Sequence, residues 1–304
     1  MNLEKLLTEA RNPTTTNIDH QSSLEIVQLI NQEDQKIATA IHPILPHIAK
    51  TVDVIIRAIQ SGGRLFYLGA GTSGRIGILD ASECPPTYGT PPDLVQGLIA
   101  GGDQAIWRAV EGAEDSDTLA AEDLRGKQLN SLDILIGIAA SGRTPYVIGG
   151  LRYAKSIGCF TVALTCSPDS VMGQIADQSL TVLTGPEVIM GSTRMKAGTA
   201  QKMVLNMLTT ATMVGLGKVY SNLMVDVQAT NLKLKERAKG IVTIATGVGS
   251  RQATEALSAA NGSAKLAIMM ILAGVSAQEA SQLLENAHGF VAKALTLHDS
   301  KTKS

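Results

Sequence analysis

Short continuous apolar runs at 64–68, 94–100, 132–139, 160–165 and 180–183 each give way to Gly, Ser or Thr and then to a helical stretch. A strand that is apolar on both faces must be covered on both, and strands that alternate with helices are joined by right-handed crossovers. The pattern predicts an α/β chain whose centre, over residues 54–217, is a three-layer α/β/α domain with a five-stranded parallel sheet. Residues 1–53 are expected to form an N-terminal arm and helices, and 218–304 a C-terminal helical region. In the arm, Arg11-Asn12-Pro13-Thr14-Thr15-Thr16-Asn17 has no apolar period and reads as a loop. Ser22 and Glu25 have capping-box spacing, and Ile26, Leu29, Ile30, Ile37 and Ile41 then recur at helical intervals until Pro43. Ile44, Ile48, Val52, Ile55, Ile56 and Ile59 mark a second helix that stops at Gly62-Gly63. Beyond the sheet, 196–219 reads as one long helix and 240–300 as a compact three-helix unit, with turns at Asn261-Gly262 and Gly274 and a capping box at Ser276 and Glu279.

The chain has 304 residues with 26 basic and 27 acidic side chains, a formal net charge of -1. Such a balance makes no field for gathering a polyanion, and no local basic cluster replaces it, so neither nucleic acid nor a membrane surface is an expected partner. Cys84, Cys159 and Cys166 form no CxxC pair, and their odd number and wide spacing suit a reducing, cytoplasmic setting. The longest apolar run, 266–275, is far short of the roughly 20 residues that cross a bilayer, and residues 1–11 carry charge throughout, so no anchor or signal peptide is expected. The five histidines, His20, His42, His47, His288 and His298, all fall outside the strand-end loops. No Cys/His cluster or H-E-x-x-H spacing occurs, so neither a metal nor another cofactor is expected.

The chain carries 29 glycines against one Trp, five Tyr and three Phe, which points to tight turns and close backbone approach. Gly69-Ala70-Gly71-Thr72-Ser73-Gly74 lies between the first predicted strand and a helix, where parallel sheets bind anions on helix N-termini. It matches the dinucleotide fingerprint only loosely, no acidic residue ends the second strand, and the Gly-Lys-Ser/Thr of a nucleotide P-loop is missing. The hydroxyls of Thr72 and Ser73 suit a single phosphate instead. A second loop, Ala140-Ser141-Gly142-Arg143-Thr144-Pro145, follows the third strand with two hydroxyls and a cation around one glycine. Thr72, Ser73, Ser141, Gly142, Arg143 and Thr144 are thus the expected binding residues.

Without histidine, acid and base chemistry falls to carboxylates. Glu83 is placed by the sequence at the end of the helix that starts at the first loop, before Cys84-Pro85-Pro86, where the negative end of the helix dipole favours a protonated acid. Glu114 sits in the acidic stretch Glu111-Gly112-Ala113-Glu114-Asp115-Ser116-Asp117, and Asp80 shares the helix of Glu83. Each has a plainer reading, a solvated acid or a helix-terminal Glu, and the residues by themselves leave both readings open.

The two strand-end loops resemble the sugar-phosphate loops of the sugar isomerase (SIS) domain. Gly185-Pro186-Glu187-Val188-Ile189-Met190-Gly191-Ser192-Thr193-Arg194-Met195-Lys196 is similar to a signature shared by the bacterial N-acetylmuramic acid 6-phosphate etherases and the glucokinase regulatory protein. Glu9-Ala10-Arg11-Asn12, Ile18-Asp19, Ile30-Asn31-Gln32-Glu33-Asp34 and Leu79-Asp80-Ala81-Ser82-Glu83-Cys84-Pro85-Pro86-Thr87 resemble the etherases in particular, and the likeness runs through nearly the whole chain. The resemblance implies a SIS-type fold with a small C-terminal helical, UBA-like unit, and a lyase that cleaves the D-lactyl ether of a sugar phosphate during peptidoglycan recycling. It implies Glu83 as the acid that protonates departing lactate and Glu114 as the second catalytic carboxylate, the C2 base, with the loop residues holding the 6-phosphate. It gives Arg194 and Lys196 either a ligand or a structural role. It further implies a homodimer with sites near the subunit interface, for which a flat Ala/Met helix at 197–214 would serve. An aldose–ketose sugar-phosphate isomerase and a non-catalytic sugar-phosphate sensor are the competing classes. The isomerase needs no acid for a leaving group, and the sensor needs neither carboxylate.

Overall fold

The computed structural model describes residues 9–227 and 232–302. They divide into two compact units, one made of the described residues up to Ser82 with Asp93–Thr209, the other of Glu83–Pro92 with the described residues from Thr210 onward.

The first unit is built on five parallel strands, β1 (Leu65–Gly69), β2 (Val95–Ile99), β3 (Ile134–Ile138), β4 (Phe160–Thr165) and β5 (Gln178–Thr181), in the order β2-β1-β3-β4-β5. Every residue of β1 and β3 is buried, as expected of strands covered on both faces. Each predicted run overlaps a strand, but β5 begins at Gln178, ahead of its apolar run, and Leu183 is left exposed. At a sheet edge, pairing with Val162 and Ala163 fixes the strand, and one face need not be apolar. On one face of the sheet Phe66, Leu68 and Leu135 pack with Tyr146, Val147 and Leu151. Arg64 and the buried Asp133 lock the starts of β1 and β3 together, with Nη2 and Oδ2 2.8 Å apart.

Ahead of the sheet, residues 13–15 and 18–20 form short 3-10 turns where the sequence reads as a loop. Both halves of the Ser22/Glu25 capping box are present at the start of α1 (Ser23–Asp34). The helical run expected up to Pro43 instead breaks at Gln35 and resumes as α2 (Lys36–Ile41), because the all-polar stretch 31–36 offers no apolar side chain to hold one continuous helix on the core. Then α3 (Leu45–Gln60) follows, with Ile48, Val52 and Ile55 buried. Five further helices connect the strands: α4 (Gly71–Tyr88), α5 (Gln104–Trp107), α6 (Leu119–Gly126), α7 (Pro145–Ser156) and α8 (Val171–Ile175).

The long helix α9 (Lys196–Gly215) leads out of the first unit. The second unit adds α10 (Leu232–Thr246), α11 (Ser250–Ala259), α12 (Ala264–Ala273), α13 (Ala277–Asn286) and α14 (Val291–Thr302). The three-helix reading of 240–300 is therefore too simple. His288 (φ 52) and Gly289 (φ 82) take left-handed conformations that stop α13 before α14 begins. Ala267, Ile268 and Met269 of α12 form the centre of this unit with Ile241, Val242, Ala280 and Val291. Among the described residues no single helix is long and apolar enough to cross a membrane.

Candidate active site

The turn from β1 into α4 is tight enough that a Cβ on Gly69 would come within 2.6 Å of the Gly74 amide nitrogen. Gly71 enters the helix with φ +52, a conformation that favours glycine. The first-turn N–H groups of α4 then have no intrahelical partner and carry the positive end of the helix dipole. Thr72 and Ser73 sit half-buried in that turn, and Ser73 Oγ donates to Gln201 Oε1 of α9 at 3.0 Å. The second loop is built alike. Gly142 has φ +64, a Cβ there would collide with Ser170, and its carbonyl accepts from the Met172 N–H at 3.1 Å. Thr144 is the N-cap of α7 and Pro145 opens it.

Thr72, Ser73, Ser141, Arg143, Thr144 and Glu114 line one cavity of about 380 Å³. Gly142 is not part of its lining; it supports the wall from behind, as its burial and its bond to Met172 require. Arg143 Nε and Gln201 Nε2 are buried donors without a hydrogen-bond partner among the described residues. Two helix N-termini, four hydroxyls and the Arg143 guanidinium make this wall a receptor for a compact dianion such as a phosphate monoester.

Glu114 lies on a 3-10 turn, Ala113–Asp115, entered through Gly112 at φ 74. Its side chain is exposed to the cavity mouth, while Ala113 packs on the core. Arg75, from the first turns of α4, fixes the preceding segment by donating to the carbonyls of Ala105 (2.7 Å) and Ile106 (2.8 Å). Asp115 also lines the cavity, as do Glu9 of the N-terminal arm and Thr193 of the signature segment.

Glu83 does not line this cavity. It is exposed on α4, in the part of that helix that belongs to the second unit. Nor does it end the helix, as the sequence suggests, because α4 continues through Pro85 and Pro86 to Tyr88. The prolines cannot donate to the carbonyls of Ala81 and Ser82, so negative carbonyl oxygens still mark this stretch. Asp80 is buried and structural: Tyr67 Oη (2.9 Å), Asn206 Nδ2 (2.6 Å) and Thr209 Oγ1 (3.2 Å) all donate to it, tying β1, α4 and α9. Burial pushes its pKa up against the pull of these donors.

The signature segment divides its labour. Glu187 is buried and accepts from the Lys196 and Ala197 amides, both at 2.9 Å, so it caps α9. Lys196 is buried and turned to Glu33, and Arg194 is exposed outside the cavity lining, which leaves Thr193 as the signature residue that reaches the cavity. Among the described residues no group of His, Cys, Asp and Glu could hold a metal ion. A larger cavity, about 950 Å³, lies within the second unit and is lined by Lys218, Asp226, Lys235 and Glu236, with none of the expected site residues. Glu9, Asp115, Thr193 and Gln201 escaped the sequence reading. Glu9 and Thr193 stood inside recognised motifs, but nothing local assigns them a direction.

The chain matches the glucokinase regulatory protein N-terminal SIS domain over residues 47–155 and the SIS domain over 119–211. It is 57% identical over 301 residues to an N-acetylmuramic acid 6-phosphate etherase of Clostridium beijerinckii, covering 99% of each chain. It is also 57% identical over 296 residues to the protein of that name in Photorhabdus laumondii, covering 97% of this chain and 98% of the other. In fold it is similar to a solved Bacteroides fragilis protein of capsule formation, assigned as a phosphosugar isomerase, with a TM-score of 0.51 at 22% identity over 64% of this chain and 91% of the other.

Proposed function

The chain belongs to the N-acetylmuramic acid 6-phosphate etherases, and from that premise we propose how its cavity and its two carboxylates cleave the ether. It is a carbon-oxygen lyase of amino sugar catabolism, converting N-acetylmuramic acid 6-phosphate to N-acetylglucosamine 6-phosphate and D-lactate in peptidoglycan recycling. The full-length likeness to etherases selects the lyase over the isomerase and the sensor.

The observation that carries the mechanism is that Glu114 shares one cavity with both phosphate loops. Phosphate bound by Thr72, Ser73, Ser141, Arg143 and Thr144, with Gly142 behind them, anchors the non-reacting end of the sugar, and that binding energy positions C2 and C3. In the open-chain sugar C2–H is α to the C1 aldehyde. Glu114 takes this proton, the C2–C3 double bond forms as the C3–O bond breaks, and Glu83 protonates the departing lactate oxygen. Water then adds at C3 of the unsaturated aldehyde and the proton returns to C2, so the balance is one ether plus one water to one alcohol and one hydroxy acid. The chemistry calls on no metal and no nicotinamide.

We propose further that the active form is a homodimer in which each cavity takes its acid, Glu83, from the partner subunit, a reading supported by the exposure of Glu83 and its absence from the cavity lining. The cytoplasm is the proposed compartment, in keeping with three widely spaced, buried cysteines. The reaction is tested with purified protein in heavy-oxygen water. Release of D-lactate with label at C3 of the amino sugar is expected, and label in lactate would overturn elimination in favour of direct displacement.

A further inference from the structure

The N-terminal arm, too polar for a core, is fastened to the signature segment at two points and, through Glu33 of α1, to its buried Lys196. Asn12 Nδ2 donates to the Pro186 carbonyl (3.4 Å), Thr15 Oγ1 to the Val188 carbonyl (2.8 Å), and Thr14 Oγ1 to Glu33 Oε1 (3.2 Å), whose other oxygen holds the buried Lys196. These ties set Glu9 against Gly191, where an added Cβ would lie 3.2 Å from Glu9 Oε2. Gly191 has φ +76 and no side chain to push the carboxylate aside, and Glu9 lines the same cavity as Glu114 and the phosphate loops.

A carboxylate in this cavity cannot face the 6-phosphate or the lactyl carboxylate without repulsion. Its partner on the substrate must be a neutral donor. With C6 taken by the phosphate loops and C2–H and the C3 ether oxygen by the acid-base pair, the remaining neutral donors are the acetamido N–H on C2 and the hydroxyls at C4 and C5, and of these the hydroxyls lie between the phosphate end and the reacting carbons. We propose that Glu9 is a specificity-determining residue of the etherase site, accepting a charge-assisted hydrogen bond from a C4 or C5 hydroxyl of the open-chain sugar. The inference rests on the etherase reading above. In this arrangement the arm serves as a wall of the site, and the signature segment is its mooring.

The test compares wild type with Glu9→Gln and Glu9→Ala on N-acetylmuramic acid 6-phosphate, with inorganic phosphate as a competitive inhibitor. A hydrogen bond to a charged group corresponds to a rise in KM of about 10-fold to 100-fold for Glu9→Ala and less for Glu9→Gln, which keeps a neutral acceptor. The inhibition constant of phosphate, which meets only the loops, stays unchanged. Substrate analogues lacking the C4 or the C5 hydroxyl should show the coupling: one of them loses affinity for wild type and none further for Glu9→Ala. An unchanged KM, a fall in kcat alone, additive losses with both analogues, or a phosphate constant that weakens in step with KM would each overturn the proposal, the last by showing that the arm merely supports the fold. Wild type that releases no lactate would defeat the etherase reading instead, and that outcome is distinct from any of these.

Discussion

Lys196 Nζ lies 2.6 Å from Glu33 Oε2 with side chains only 2% and 5% exposed, so a signature lysine that could have faced an anionic substrate is spent on a buried ion pair. Its partner also holds Lys36 and Thr14, which makes Glu33 the point where α1, α2, the arm and the start of α9 meet. Removing one member of a buried pair leaves the other charge uncompensated. Lys196→Met is expected to lower stability by about 3 kcal/mol, measured from the denaturant midpoint. Adding Glu33→Gln should restore part of that loss, and a double variant no more stable than Lys196→Met would show that packing rather than charge decides.

The same pair makes stability acid-sensitive. Burial opposes ionisation of Glu33, but hydrogen bonds and attraction from Lys196 and Lys36 prevail and hold its pKa at about 2. A carboxyl depressed in the folded state stabilises it above the unfolded pKa, and the gain disappears as pH falls through the folded value. The window runs from about pH 5 down to about pH 2, and the contribution at neutral pH is about 3 kcal/mol. Asp80 and Glu187, raised by burial, act in the opposite sense, so the difference between wild type and Glu33→Gln is the quantity to follow. That difference should shrink steadily across the window, and a difference independent of pH would refute the assignment.

How much of this was legible depends on how local each signal is. The strands of the parallel sheet announce themselves because burial on both faces leaves an unbroken apolar run, and Ser22 with Glu25 announces α1 because a capping box is complete within four residues. The two glycine loops could be set at strand ends, around one cavity, because their glycines, hydroxyls and flanking apolar runs are contiguous in sequence. Lys196 could not be read, since its partner Glu33 is distant in the chain and only packing brings the two together. Glu9 was silent for the same reason, lying on a polar arm whose direction is set by carbonyls of the signature segment. A solvent-exposed Glu83 was one of the two readings left open, but the continuation of α4 beyond it was hidden by Pro85 and Pro86, which look like a helix stop and turn out to lie inside the helix.

Gly149 governs where Glu114 stands. A Cβ on this α7 residue would overlap the carbonyl oxygen of Asp117, so glycine is what allows the helix to touch the segment carrying Glu114, the proposed C2 base. Backbone on both sides cannot yield cheaply, and Gly149→Ala should push that segment away. Misplacing a catalytic group by about 1 Å costs on the order of 100-fold, so kcat should fall by about that factor, with about 1–3 kcal/mol of stability lost to overpacking. Gly240→Ala is the control. Beyond its own helix backbone and chain neighbours, no atom of the described residues lies within 4 Å of its added Cβ in α10, and reduced freedom of the unfolded chain should stabilise it by about 0.4–1 kcal/mol. Full activity in Gly149→Ala would mean that Glu114 is not held by this contact.

If each cavity takes Glu83 from the partner subunit, two inactive variants should complement each other. Glu83→Gln and Glu114→Gln are each expected to lose activity by about 100-fold to 10,000-fold, the range for removing a general acid or base. In a heterodimer of the two, one cavity combines the intact Glu114 of one protomer with the intact Glu83 of the other, while the second cavity lacks both. Random reassociation of equal amounts makes half the dimers mixed, so activity should return to about a quarter of wild type for a symmetric pair. The same mixture distinguishes the two roles at the level of the proton. Glu114→Gln homodimers should fail to exchange C2–H of N-acetylglucosamine 6-phosphate with deuterated solvent, whereas Glu83→Gln homodimers retain some exchange because enolisation needs only the base. Mixtures that stay as inactive as their parents would place both carboxylates in one chain's site and remove the trans-acting acid from the mechanism.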